Sequence, residues 1–346
     1  MQTKQLLLTF DYELFLGVKS GSVNACLIEP TTLLLGVLEK YKIKRAIFFV
    51  DTSYLITLMA RTEPECVHDF HLISKQLVDI VEKGHYVFPH IHPHWLDAKY
   101  VPKTNEWSLI DYSKYRFHNT PTPEKDRLFR DSIAVLKTIF YKTALTFKIN
   151  GYRAGGWSIQ PFEDFRPFFS KYDISHEFSV LPGFKNTSDA QYFDFMNYPD
   201  KPVYSFENDP CISEPRGSFR EYTISSLVIT PLQYWLDKIW NKFLWKTGQR
   251  SIGNGSGVVS TNLGKSASSN SNKTRQEREM LSMELLTLVK LPLYKSFLKN
   301  NRYMHFISHP KMLSHHNLKC FENFLNYAVE QFELQTDFLK MHDTDH

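Results

Sequence analysis

The strongest constraint in this sequence is an alternation. Short apolar runs end on an acid, an imidazole or a guanidinium, and stretches with helical spacing lie between them. Gln5–Phe10 ends at Asp11 and Glu13, and Arg45–Val50 ends at Asp51. Tyr86–Phe88 leads to His90, His92 and His94, Ala144–Tyr152 to Arg153, and Tyr303–Ser308 to His309. Thr31–Lys40, His71–Lys83, Pro123–Tyr141, Phe162–Lys171 and Asn317–Phe332 read as helices, with Pro30 as a start signal and Gly84 as a stop. Phe219–Ile224 reads as a further strand. This order predicts an α/β protein with a parallel sheet or barrel. In a βα barrel the chemistry gathers at the C-terminal ends of the strands, so these polar side chains are expected to converge on one mouth.

Composition narrows the chemistry. With 346 residues there is room for two average domains or one barrel with insertions, and the net charge of +4 gives no reason to expect a nucleic-acid partner. The chain has 14 His but only 4 Cys, and the cysteines lie far apart. Any metal is therefore expected on imidazole and carboxylate, and the spacing suits a reducing cytosol rather than a disulfide framework. No apolar run approaches a membrane span, and the start of the chain lacks a signal-peptide pattern; the expectation is a soluble, cytoplasmic protein. Ser251–Thr274 is rich in Ser, Asn and Gly without an aromatic residue, and reads as a flexible insertion.

The histidine cluster carries the sharpest signal. If the chain stays extended, His90 and His94 are roughly 13 Å apart, too far to share an ion. If it turns after His90 they come within about 6 Å along one face. Pro93 favours the turn, so the spacing supports a pair of metal ligands provided the strand ends near His90. Asp11 and Glu13 are the best source of an oxygen ligand, with one acid on the metal and the other free as a base.

Thr9-Phe-Asp-Tyr-Glu13, Gly84-His…His90-Ile-His-Pro-His94, Arg153-Ala-Gly-Gly-Trp157 and Ile307-Ser-His309-Pro together resemble the ordered motifs of the polysaccharide deacetylase superfamily, the NodB-homology or carbohydrate esterase family 4-like group. The pattern is most similar to a branch with a His-x-His-Pro-His motif linked to bacterial surface-polysaccharide synthesis. The resemblance implies a distorted (β/α)7 TIM-barrel-like fold over residues 1–346 as a single catalytic domain. It also implies a metal-dependent hydrolase that removes acetyl groups from a sugar or glycan, usually with zinc, though other transition metals serve.

By the same resemblance Asp11 is the catalytic base, Arg153 its orienting partner and His309 the general acid. Glu13, His90 and His94 are the metal ligands, because Tyr12 stands where the common motif has a second, metal-binding aspartate. His92, Trp95 and Trp157 fall on positions suited to substrate contact, with core packing as the other reading of the tryptophans. Asp173 or Glu177 is expected to tune His309. Hydrolysis of another non-peptide C–N bond, or a catalytically silent barrel that binds carbohydrate, are the alternatives. Leu232–Leu244 is a basic, aromatic helix, expected to pack on the barrel, with weak contact to a membrane surface as the second reading.

Overall fold

The computed structural model describes residues 1–17, 19–109, 113–188, 191–246, 248–257 and 277–342. Strand β1 (Thr3–Tyr12) is almost wholly buried. Its side chains alternate, as the pleat requires. Leu6, Leu8, Phe10 and Tyr12 join the core beneath the outer helices. Leu7 points the other way, into an interior shared with Ile47 and Phe49 of β2 (Ile47–Asp51) and Tyr86 and Phe88 of β3 (Tyr86–Ile91). Thr9 and Asp11 continue that inward face toward the C-terminal end of the strand.

Among the described residues the main sheet has nine strands. Parallel pairing runs in the order Tyr303–Ser308, β1, β2, β3, Gly151–Ala154, His176–Glu177, Phe219–Tyr222. Val203–Phe206 pairs antiparallel with Phe219–Tyr222, and Glu333–Gln335 pairs with the start of β1. The sheet curls until its ends meet. The Ser225 N–H donates to the His305 carbonyl, and the Ile307 N–H donates to the Leu281 carbonyl, bridging Tyr303–Ser308 to the chain beyond Phe219–Tyr222. Phe338 fills the N-terminal end of this interior, edge-on to Tyr86, Phe178 and Tyr222.

Helices α1 (Glu29–Lys40), α2 (Thr52–Met59), α3 (Pro64–Glu82) and α4 (Thr122–Ile139) follow the first strands. Helix α3 begins earlier than the predicted His71 because Pro64 opens its first turn and Cys66 extends the buried face. The alternation then changes character. After the short α5 (Arg166–Lys171), a hairpin of Lys185–Thr187 with Tyr192–Asp194 stands where a crossover helix is expected. The predicted strand Ala144–Tyr152 shortens to Gly151–Ala154, and Phe147 instead packs edge-on against Tyr86 and Phe88. Helices α6 (Pro231–Lys246), α7 (Leu291–Asn300) and α8 (His315–Gln331) complete the chain, α8 starting at a reciprocal Ser314–Asn317 cap.

Residues 258–274 of the predicted insertion lie outside the described residues. Its first part is docked: Ile252 and Gly253 donate to the Leu313 and Lys311 carbonyls, and Ser256 donates to the Lys19 carbonyl. Gly253 is needed there, since a Cβ would overlap the Lys311 carbonyl oxygen.

Candidate active site

The inward-facing residues at the C-terminal ends of the strands meet in one cavity. A volume of about 120 Å³ is lined by Asp11, Glu13, His90, His92, Tyr115, Gly156, Trp157, Gln191 and His309. Register explains part of this: Asp51 pairs with His90 and His90 with Arg153 across adjacent strands, so each strand end delivers its polar residue at one height.

Arg153 is the fixed point. Its side chain is fully buried and spends its N–H groups on four acceptors. Nη1 donates to Asp11 Oδ1 at 2.6 Å, Nη2 to Thr9 Oγ1 at 2.8 Å, and Nε to the Phe178 carbonyl at 3.0 Å. Nη2 also lies 3.2 Å from His305 Nε2. The His305 Nδ1–H donates to the Thr223 carbonyl at 3.0 Å, which leaves Nε2 as an acceptor for the guanidinium. The cation sits over the Phe49 ring, 4.3 Å from its centroid. Burial alone would raise the Asp11 pKa, but Arg153 and the imidazoles of His90 and His309 outweigh it and hold the carboxyl below its ordinary range.

The second acid sits in a different environment. Glu13 Oε1 accepts from Lys311 Nζ at 2.8 Å. Its Oε2 lies 2.7 Å from His92 Nε2 and 3.5 Å from His90 Nε2, and the two imidazole nitrogens are 3.0 Å apart. Oε2 nonetheless has no aligned hydrogen bond. Three buried donor atoms this close, with a carboxylate oxygen among them left without a hydrogen bond, form a group that could hold a metal ion. Ligands on a tetrahedral ion at about 2.0–2.1 Å stand roughly 3.3 Å from one another. The His90 Nδ1–H donates to the Arg153 carbonyl at 2.8 Å, which turns the Nε2 lone pair toward this point. The residues present thus fit a divalent cation. Burial would raise Glu13 too, but Lys311, His92 and His90 keep it well below the usual carboxylate range.

The grouping differs from the one the spacing suggests. Glu13, His90 and His92 come together, whereas His94 does not join them. The strand runs through Ile91 and His92 is still extended, so residues two apart share a side; the 3₁₀ turn begins only at Pro93. The His94 ring is stacked on Tyr115, with centroids 5.6 Å apart, and neither ring nitrogen is hydrogen-bonded.

His309 approaches from the opposite side. Its Nε2 is 3.7 Å from Asp11 Oδ2 and 3.8 Å from Glu13 Oε1. Its Nδ1 is 2.9 Å from Glu284 Oε1. Burial would lower this imidazole, yet Glu284, Asp11 and Glu13 together raise it above the ordinary histidine value. Glu284 takes the role expected of Asp173 or Glu177. Glu177 is instead committed to Ser179, accepting from its N–H at 2.8 Å.

The tryptophans divide. Trp95 is fully buried, tilted against Tyr54 and edge-on to Trp107, and its Nε1–H donates to Asp51; it offers no face to a sugar. Trp157 lines the cavity from a left-handed backbone conformation, φ 58°, which costs an ordinary residue about 1–2 kcal/mol. Gly156 before it takes φ 59°, a left-handed conformation that favours glycine, and a Cβ there would stand 3.0 and 3.1 Å from the side chains of Tyr115 and Gln191. Asp51 caps α2 by accepting from the Tyr54 N–H, and burial with the nearby Glu13 pushes its pKa up to about 8. Sequence reasoning missed Lys311, Glu284, Tyr115 and Gln191. Only Lys311 had a signal, its place two residues after His309.

No family model matches this chain, and no curated protein matches it. Solved structures do. A GH57-type branching enzyme from Pyrococcus horikoshii aligns over 98% of this chain and 71% of that one, at a TM-score of 0.50 and 9% identity. A Mycobacterium smegmatis protein provisionally described as a polysaccharide deacetylase aligns over 96% of this chain and 85% of that one, at 0.47 and 12%. The catalytic domain of a peptidoglycan N-acetylglucosamine deacetylase from Eubacterium rectale aligns over 99% and 92%, at 0.36 and 13%. At such identities a likeness speaks of fold alone, and the match to the branching enzyme places this chain among mixed α/β folds built on a curled sheet.

Proposed function

We propose that this chain is a metal-dependent deacetylase of the polysaccharide deacetylase superfamily, acting on an acetylated sugar or glycan. The observation that carries the reading is the meeting of two separately supported groups beside one donor cluster. Asp11 is held ionised by Arg153, and His309 is biased toward its protonated form by Glu284, beside the donor group of Glu13, His90 and His92. In this reading the curled sheet is the superfamily's distorted (β/α)7 barrel, and Glu13, His90 and His92 hold the ion, zinc by preference for two imidazoles and a carboxylate. A divalent ion bound there supplies Lewis acidity, polarising the acyl carbonyl and acidifying water.

The protein's own groups perform the proton work. Asp11 Oδ2, the oxygen not committed to Arg153, accepts the proton of the attacking water. Arg153 keeps that carboxylate oriented and charged through the step. His309 delivers a proton from Nε2 to the leaving nitrogen, which is too basic to depart as an anion; Glu284 fixes the ring through Nδ1. The cavity suits an acetyl group, and Trp157 and Tyr115 at its wall suit an adjoining sugar ring. A cytoplasmic role in bacterial surface-polysaccharide synthesis belongs to the same proposal.

The test is acetate release from N-acetylated oligosaccharides by zinc-loaded protein, with Asp11→Asn and His309→Ala each abolishing it. Metal-loaded protein that releases no acetate from any N- or O-acetylated glycan overturns the reading. One contact favours a second reading. The Lys311 ammonium already neutralises part of Glu13, which suits a silent carbohydrate-binding barrel without an ion. Purified protein that carries no stoichiometric metal and still retains glycan would support that alternative.

A further inference from the structure

Helix α6 is folded the wrong way round for a core helix. Leu232, Trp235, Leu236, Ile239 and Phe243 are 42–65% exposed. Single exposed apolar residues are ordinary, but these lie on successive turns of one helix. At helical periodicity they fill one band roughly 100° wide. Lys238, Lys242 and Lys246 recur every fourth residue and line one edge of that band, all exposed. The helix has a single acid, Asp237, and it is turned inward, accepting from Thr287 Oγ1 at 2.6 Å and pairing with Lys290 Nζ at 2.9 Å. Trp240, at the other edge of the apolar band and tilted against Phe243 with centroids 5.6 Å apart, reaches His316. The helix therefore does pack on the body of the protein, but through a narrow and partly polar side.

We propose that α6 docks the chain on an anionic phospholipid surface. An apolar band edged by lysines, with no exposed acid, matches a bilayer interface in both respects. The rings and aliphatic groups enter the headgroup boundary, and the ammonium groups meet lipid phosphates and carboxylates. A second copy of this chain matches poorly, because an antiparallel two-fold contact through this band would bring the lysine rows together and no acid on the helix is free to offset them. The helix is anchored by Thr287 and Lys290 just beyond Glu284, and by His316 just beyond the His309 loop. Docking therefore sets the catalytic cavity close to the membrane. The docking itself stands apart from the deacetylase reading; only the corollary, that the acetylated glycan is presented at a membrane, rests on it.

The experiment is co-sedimentation of the full chain with phosphatidylcholine vesicles, with and without phosphatidylglycerol. Binding is expected only with phosphatidylglycerol, weakening as salt rises. Trp235→Glu with Phe243→Glu should reduce partitioning roughly tenfold or more. Each of Lys238→Gln, Lys242→Gln and Lys246→Gln should reduce it roughly fivefold. All these side chains are exposed, so thermal unfolding and acetate release from a soluble oligosaccharide should stay unchanged. Wild-type protein left in the supernatant with anionic vesicles, or variants that bind as well as wild type, would overturn the proposal. So would a dimer that the glutamate variants dissociate while vesicles capture nothing. Loss of acetate release with vesicle binding intact would count against deacetylation and leave the docking standing.

Discussion

Replacing His92 and His94 in turn separates the two ways of reading the histidine cluster. His92 Nε2 is 2.7 Å from Glu13 Oε2 and 3.0 Å from His90 Nε2, so His92→Ala removes one of three converging donors. Changes to residues that merely orient metal ligands cost about 10–100-fold in affinity. Loss of a direct donor should exceed that, at more than about 100-fold or roughly 3 kcal/mol. His94 is equally buried, but its ring nitrogens make no hydrogen bond and its ring rests on Tyr115. His94→Ala should therefore act by cavity formation, destabilising the fold by about 2–3 kcal/mol and changing zinc affinity only a few-fold. Competition titration of zinc against a chromophoric chelator, with urea unfolding of each apo variant, measures both quantities. The reasoning fails if His94→Ala loses zinc as severely as His92→Ala, for the chain would then have to turn after His90 as the spacing alone suggested.

Three further outcomes follow from the same contacts. Glu284→Gln removes the largest influence raising His309, so its pKa should fall and the alkaline limb of the rate profile should move to lower pH, with the rate reduced about 10–100-fold; the pH dependence of kcat reports this. Arg153→Met leaves Asp11 buried without its partner and should cost about 3–5 kcal/mol in urea unfolding, part of which Asp11→Asn in the same chain should restore. His85, outside the site, is held neutral by burial, with its pKa lowered from 6.5 to about 4. The unfolded chain binds the extra proton first, so this contribution is complete above pH 6.5 and lost as pH falls toward 4, by up to about 3 kcal/mol. In His85→Leu the acid-side slope of stability should flatten, and an unchanged slope would reject this account.

Much of the architecture was legible because it rests on local periodicity. The two-residue alternation in Leu6–Tyr12 and in Tyr86–Ile91 decides which side chains face inward. Tyr303–Ser308 is a strand over the range its composition predicts, and the helices at Thr31–Lys40 and Pro123–Tyr141 recur with small changes at their ends. Prediction weakened where tertiary contacts override spacing. Phe147 has strand-like neighbours but closes the bottom of the interior, and Trp95 adjoins a functional motif yet is consumed by Asp51 and Trp107.

By itself, then, the sequence determined which residue types end each strand, and hence that acids, imidazoles and a guanidinium would share one end of a curled parallel sheet. Tertiary structure alone decided who meets whom. It carried the strand to Ile91 and left His92 extended, so His92 and not His94 faces Glu13 and His90. It also brought Glu284 from a distant loop to His309, and Lys311 to Glu13. Neither pairing follows a periodicity, because a loop's path is set by packing against the rest of the fold rather than by its own residues. The same holds for α6. Its amphipathic pattern is plain in the sequence, but only the fold shows that Asp237 turns inward while the tryptophan and phenylalanine of the apolar band face out.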